Sequence, residues 1–572
     1  MRRCSFFPVL LFVLGAAPAQ VKAPGWLPAS FDPPWAGVPA KRRLPFPYDG
    51  NKTSIQNGAA LVAAMQALQP GDRLLIGPGT YSMASWVDLK LAGTAAAPVR
   101  IEAADPQRPP VLTRPDARQN VLNLGVKGPA RHLALQGLEF TGGADLLKLY
   151  DCENIWIDRC HLHDGGGVGI AANTVATRYI HITRNEIARP GGPGDTGEGM
   201  YLGSHSGSAP MSWSVVALNH VHHTAAADQG DGIELKQNSH HNWIAGNHVH
   251  HTRYPCLIVY GTGGMGENVL EGNILYTCLD NVLQVQGEAL VRNNLVMDGA
   301  GAGFQSHDHQ GMSRDLVFVH NTIITPGRGA NLASWNGRPG MVLANNLVYS
   351  RSSHSLRFPA GSTGVAAAGN VVVGPVTGVS GGWVPGGGLA DFVAVTWDAV
   401  SRNAVPARGS PAAARGVPAY RIDRDLAGGL RRPPVDPGAY DGTVTFTGDR
   451  GTISLAAGGT QRLGLDGGTA LAGGAYQVVG TFSGAMPGLR VEGWHVALNP
   501  DPYFELTLLS PNQPLLTPST GRLDGAGRAS CLFLLPPALP AALLGLTFHH
   551  AFVVLAPGLR HASNPVELVL VK

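Results

Sequence analysis

Four short stretches carry side chains able to move protons. "GDGIELK" holds Asp231, Glu234 and Lys236; "TGEGMYLG" holds Glu198 and Tyr201; "VYG" holds Tyr260; "SHDHQG" holds His307. Glu198, Asp231 and Glu234 are carboxylates enough for the acid–base pair of a glycoside hydrolase, whose separation would predict inversion or retention. A lysine such as Lys236 becomes a base only where burial or neighbours lower its pKa, and is otherwise an ordinary exposed side chain. A tyrosine can serve as acid or base in an elimination. Histidines recur as His220/His248, His222/His250 and His223/His251.

These residues need a scaffold, and the scaffold is repetitive. "YIHITRNEIAR", "SVVALNHVHHT", "NWIAGNHVHHT", "NVLEGNILYTC", "ALVRNNLVMDG", "LVFVHNTIITP" and "MVLANNLVYS" each read as a short alternating strand, an Asn, and a second short strand. The Asn positions are 185, 219, 247, 273, 294, 321 and 346, spaced 21 to 34 residues apart, with Asn370 extending the series and Cys160 and Gly137 in the same slot earlier. A solenoid of parallel strands explains this, each coil adding one layer about 4.8 Å from the next. Asn tolerates the left-handed backbone of a tight turn, and stacked amides can bond along the ladder. About ten coils are legible over residues 100–375. The histidine pairs then fall one coil apart beside the Asn turn, where stacked structural imidazoles are expected rather than a metal cluster.

This pattern resembles the right-handed parallel β-helix of the pectin-lyase-like superfamily, over roughly half the chain. "SIQNGAALVAAMQALQPGDRLLIGPGTYS" and the "GTAAAPVRIEAADPQRPPVL" after it resemble the opening of family 6 polysaccharide lyases, the alginate lyase and chondroitinase B type. A helix over residues 55–68 would cap the open end of the solenoid. In this fold each coil has three strands, and substrates lie along the first. The first strands align as "GMYLG", "GIELK", "CLIVY", "LQVQ", "FQSH" and "LASW". With apolar residues inward, alternation turns Tyr201, Glu234, Lys236, Ile258, Tyr260, Gln284, Gln286, Gln305, His307 and Trp335 outward, a polar and aromatic face suited to a sugar chain.

The resemblance implies that Lys236 is the base of a β-elimination. It also implies that Glu198 and Asp231, in adjacent layers, hold a calcium ion that neutralises a uronate carboxylate. On this chain's own outward face, proton transfer is expected of Tyr260 with His307, and substrate contact of Tyr201, Glu234, Arg253, Gln284, Gln286, Gln305 and Trp335. One departure stands out: the family's partner on the next coil is an Arg, where this chain has Tyr260. Tyr cannot neutralise a carboxylate, and Arg253 and His307 lie near enough in layer terms to substitute in part. Three readings therefore remain: a polysaccharide lyase, a glycoside hydrolase on the same scaffold, or a glycan-binding surface protein without turnover.

The rest of the chain bounds the setting. "MRRCSFFPVLLFVLGAAPAQ" reads as a secretory signal peptide over residues 1–19, with a basic start, a short apolar core and a small-residue cleavage pattern, so secretion to an extracellular or periplasmic space is expected. An N-terminal extension (20–54) and a β-helix (55–441) follow. "GSPAAARGVPAYRIDRDLAGGLRRPPVDPGAYDG" resembles the closing coils of secreted β-helices, and residues 445–572 read as a small β-sandwich of alternating strands. A net charge of +3 is too weak to argue for nucleic acid and compatible with an acidic polysaccharide. No later stretch reads as a membrane helix, and a monomer is expected. Cys152–Cys160 and Cys256–Cys278 are possible disulfides in an exported chain, and with no CxxC pair zinc is not expected.

Overall fold

The computed structural model describes residues 21–572 except 193–195, 225–228, 408, 430, 432–433, 443–444, 486–487, 492–493 and 557–558. The expected signal peptide lies outside the described residues. From Arg42 to Pro385 the chain is a right-handed parallel β-helix of three long sheets. The first sheet has twelve strands and includes Met200–Leu202, Ile233–Leu235, Leu257–Val259 and Leu283–Val285. The second includes Val215–Ala217 and Trp243–Ala245, and the third His220–His222 and His248–Thr252. Stacking begins at Arg42–Phe46, which pairs with Asp72–Ile76 ahead of the expected boundary at residue 55.

The coils close on a continuous core of aliphatic side chains, one or two per strand, among them Met200, Leu202, Ile233, Leu235, Leu257 and Val259. Helix Ser54–Gln66 buries Leu61 and Met65 in the same core, and Thr53 caps it in a reciprocal pair with Gln56. Residues 26–38 run along the outer face of the second sheet. There Trp35 packs on Trp156, Phe31 on Trp243, and the Arg100 guanidinium donates to the carbonyls of Val38 (2.7 Å) and Ala36 (2.8 Å).

The Asn ladder is unbroken from Asn185 to Asn370. Each side-chain amide donates to the carboxamide oxygen of the next coil's Asn, at 2.9 Å for Asn185–Asn219, 3.0 Å for Asn219–Asn247 and 2.9 Å for Asn247–Asn273. The left-handed residue of the turn is not the Asn, as its spacing led us to expect, but the residue before it: Arg184, Leu218, Gly246, Gly272, Asn293, His320, Asn345 and Gly369 all have positive φ. The ladder Asn is retained for its amide, which also donates to a backbone carbonyl, Val216 in the case of Asn247. Asn247→Ala is expected to cost about 3 kcal/mol, since it orphans buried groups in two coils. Denaturant unfolding would read this as a lower midpoint at constant slope, and a loss under about 0.5 kcal/mol would mean the ladder contributes nothing.

Residues 389–441 do not add coils. They fold back over the outer face of the third sheet, where Phe392, Val405 and Leu426 pack on Tyr276, Met297 and Tyr349. A proline-rich segment lacks the N–H donors that a central ladder needs. Residues 445–572 form a four-stranded and a six-stranded sheet of mainly antiparallel strands around Phe446, Leu463, Phe533, Phe552 and Leu568, the expected sandwich, with a further two-stranded sheet beside them. One strand expected there is instead the helix Pro502–Leu509, with Asp501 as N-cap and Pro at its first turn.

Cys256 and Cys278 are disulfide-bonded, whereas Cys152 and Cys160 are buried free thiols. The strand Cys152–Asp158 lies between that second pair, and at about 3.3 Å per residue it holds them roughly 20 Å apart.

Candidate functional site

The outward ladder of the first sheet runs Lys148, Ala171, Tyr201, Glu234, Ile258, Gln284, Gln305, Asn331 and Arg357 in consecutive layers. Tyr201, Glu234, Gln284 and Gln305 thus sit where alternation placed them. Trp335 does not. Its coil's strand is Arg328–Leu332, so Asn331 is the outward residue and Trp335 falls past the strand end. Its indole is fully buried, packs against Phe358 and donates to Ser306 Oγ at 2.8 Å. Trp335 is a core residue, and its expected role in substrate contact is withdrawn.

The three carboxylates converge. Glu198, Asp231 and Glu234 are all buried, and each offers an oxygen within 4.8 Å of the others. Strict alternation would send Glu198 and Asp231 to the side of Met200 and Ile233. Both instead occupy the corner just ahead of the strand, and a glycine makes that corner possible. A Cβ on Gly199 would strike Val221 and the Gly232 carbonyl; one on Gly232 would strike Val249 and the Cys256 carbonyl. The repeated acid–glycine pair therefore sets two carboxylates in adjacent layers, beside the outward Glu234.

Charge in this cluster is not balanced. Lys236 Nζ pairs with Glu234 Oε1 and lies 4.9 Å from the ring centres of both Tyr201 and Tyr260. Tyr260 OH donates to the same Glu234 oxygen at 3.3 Å. Thr196 donates to Glu198 Oε2 at 2.6 Å. Glu198 Oε1 and Glu234 Oε2 are buried with no hydrogen-bond partner. One lysine thus faces three buried carboxylates. Burial, reinforced by Glu234, pushes the Glu198 carboxyl up to about 7. Burial and its two acidic neighbours push Asp231 well above the carboxylate range, and burial raises Glu234 despite Lys236. An all-oxygen donor set with unpartnered atoms and excess negative charge fits a hard divalent cation. Glu234 belongs to this donor set, a placement more specific than the substrate contact expected of it.

The remaining residues surround this centre. Segment 307–311 roofs it: the His309 ring stands edge-on to Tyr260 at 5.4 Å, and Gln310 Nε2 meets His205 Nδ1 at 3.2 Å from the loop after Tyr201. Gln286 is fully buried and ties this roof down, receiving Gly261 N–H on Oε1 (3.0 Å) and donating to the carbonyls of His307 and His309. Its amide is thereby occupied in holding loops, which removes it from the expected substrate contacts. His307 stacks on His309 and lies 3.0 Å from Gln305 Nε2, at the rim rather than against Lys236. Arg253 is exposed at the corner beside Gly230, one residue ahead of Asp231. His309 and Thr196 were not singled out as site residues. "SHDHQG" carried a signal for the first, and nothing in the sequence distinguishes the second.

Fold and site together define a right-handed parallel β-helix with a buried acid–lysine–tyrosine centre on its first sheet. A family described as "Right handed beta helix region" matches residues 128–275. No curated protein matches the chain. Among solved structures, a pectate lyase is similar with a TM-score of 0.45 and 14% identity, covering 71% of this chain and 97% of that one. A mannuronic acid-specific family 6 polysaccharide lyase from human gut microbiota aligns with a TM-score of 0.38 and 16% identity (60% and 90% covered). The catalytic domain of a GH87 α-1,3-glucanase gives 0.37 and 12% (61% and 68%). At such scores the shared solenoid says nothing of this chain's substrate, which has to be read from its own side chains.

Proposed function

We propose that this protein is a polysaccharide lyase that cleaves an acidic, uronate-containing glycan by β-elimination. The observation that carries the reading is the lone buried Lys236 among three buried carboxylates, two of whose oxygens lack partners. Glu198, Asp231 and Glu234 would hold calcium. Once bound there, calcium would offset a uronate carboxylate and acidify the proton beside it. Lys236, buried between the rings of Tyr201 and Tyr260, would be a desolvated amine once Glu234 served a cation instead of its ion pair, the setting in which a lysine works as a base. Lys236 takes the proton next to the carboxylate, and Tyr260 gives one to the departing glycosidic oxygen. Exposed Arg253 supplies positive charge at the rim in place of the missing family Arg. The Cys256–Cys278 disulfide suits the oxidising compartment that an exported enzyme would meet. Among the described residues no helix is long and apolar enough to cross a membrane.

The hydrolase reading fares less well on geometry. A hydrolase pair flanks the scissile bond with carboxyl groups about 5–9.5 Å apart. Each of these three carboxylates brings an oxygen within 4.8 Å of the other two, closer than the pair of an inverting enzyme. The deciding experiment follows ultraviolet absorbance of unsaturated uronate on alginate, pectate and glycosaminoglycans, with calcium and with chelator. A calcium-dependent rise supports elimination; new reducing ends without absorbance would move the assignment to hydrolysis; saturable binding without either would leave a glycan-binding protein. In the lyase case Tyr260→Phe, which keeps the ring under His309, is expected to lower kcat by about 10²-fold or more with KM little changed.

A further inference from the structure

On the opposite side of the coil from the acidic centre, the third sheet carries a stripe of imidazoles. Its layers run His161, Glu186, His220, His248 in one row and His163, Ala188, His222, His250 in the next. His220 and His248 stack at 4.9 Å, as do His222 and His250 at 5.3 Å, so most of the stripe is the structural stack expected of the repeat. One diagonal departs from simple stacking. His220 Nε2 and His250 Nε2 point at each other across two layers at 2.9 Å, and their rings are tilted by 41°. His220, His248 and His250 each present a ligand nitrogen within 4.8 Å of the other two.

From this convergence we infer a second metal site, for a borderline divalent transition ion such as zinc, with His220, His248 and His250 as its protein ligands. Two imidazole nitrogens on one tetrahedral zinc lie about 3.3 Å apart, so the His220–His250 pair needs to open by less than about half an ångström. A nitrogen-only set selects an ion of this class over calcium. Burial holds all three imidazoles neutral, leaving each a lone pair. Outer contacts of the kind that orient ligating histidines are present: His250 Nδ1 meets His251 Nδ1 at 2.7 Å, and His248 Nε2 meets Tyr276 OH at 3.1 Å. His248 Nδ1 is buried and has no partner.

An entry path exists too. The three histidines line a cleft of about 1160 Å³ between the third sheet and the C-terminal sandwich, bounded across from them by His549 and Glu567. Three protein ligands with the fourth position toward this cleft leave room for water or an exogenous ligand. Arginines also line this cleft, and Arg402 among them stacks over Tyr276 at 4.5 Å. Its charge sits next to the outer contact rather than between the three nitrogens.

The test uses the full chain made without a polyhistidine tag, stripped with chelator and then equilibrated with zinc. Wild type is expected to retain about one zinc per chain after desalting, with an imidazole-dominated shell by zinc-edge X-ray absorption. His220→Gln/His250→Gln is expected to weaken zinc binding at least ten-fold, while Glu198→Gln/Asp231→Asn keeps it, and circular dichroism checks that both variants fold. Should the histidine variant fail to fold, the absorption shell of the wild type still decides. Zinc that is not retained, that sits in an oxygen shell, or that is lost with Glu198→Gln/Asp231→Asn would overturn the assignment.

Discussion

Lys236→Ala is expected to abolish unsaturated-uronate formation, lowering turnover by about 10²–10⁴-fold, while leaving the solenoid folded. The fold should survive because Lys236 lies just past the end of its strand, and its neighbours Ile233 and Leu235 supply the core contacts. Removal of the amine also takes away the one cation paired with Glu234. The metal-free variant should therefore be less stable at neutral pH, whereas calcium-loaded protein should be little affected. Lys236→Arg separates the two roles: it restores charge beside Glu234 but holds its proton too tightly to act as a base. Turnover equal to wild type in Lys236→Ala would move the base elsewhere and remove the central residue of the proposed site.

The second large effect is on stability and needs no substrate. Burial holds the Glu198 carboxyl at about 7, above the ordinary 4.5, so the folded chain binds that proton more tightly than the unfolded chain does. In chelator, stability is then greatest below about 4.5 as far as this group is concerned, and falls as pH rises through about 7, by roughly 3 kcal/mol in all. The raised Asp231 and Glu234 carboxyls act in the same direction. Calcium needs these groups ionised, so its stabilisation should grow over the same window. At a hundred-fold excess over Kd it reaches about 2.7 kcal/mol at pH 8, and it vanishes near pH 5. Asp231→Asn and Glu198→Gln should each flatten the pH slope in chelator and reduce the calcium shift. Thermal unfolding at pH 5 to 8, with calcium, magnesium or chelator, reads all of this. Identical curves with calcium and chelator at pH 8 would remove the cation from the site.

Much of the architecture was legible because it repeats. An Asn at the same place in successive coils predicts a ladder, since its amide can accept from one layer and donate to the other while buried, and the ladder runs as read from Asn185 to Asn370. Period-two alternation likewise placed Tyr201, Glu234, Gln284 and Gln305 on one outward row. Where the repeat is imperfect, reading failed. The coil after Gln305 was aligned on "LASW" instead of "RGANL", and a slip of register carried Trp335 from the core to the surface. Coil corners obey no alternation, so the sequence could place Glu198 and Asp231 in adjacent layers but not against Glu234.

What the sequence determined by itself was the solenoid, the row of candidate side chains and two further carboxylates, Glu198 and Asp231, in adjacent layers, because these follow from periodicity. The tertiary structure decided which of those side chains meet. Glycine corners set two carboxylates beside a third, segment 307–311 folds over Tyr260, and a tilt between layers turns two diagonally placed histidines nitrogen to nitrogen. Each of these depends on how far apart two coils stand and how their loops cross, distances set by packing between residues remote in the chain.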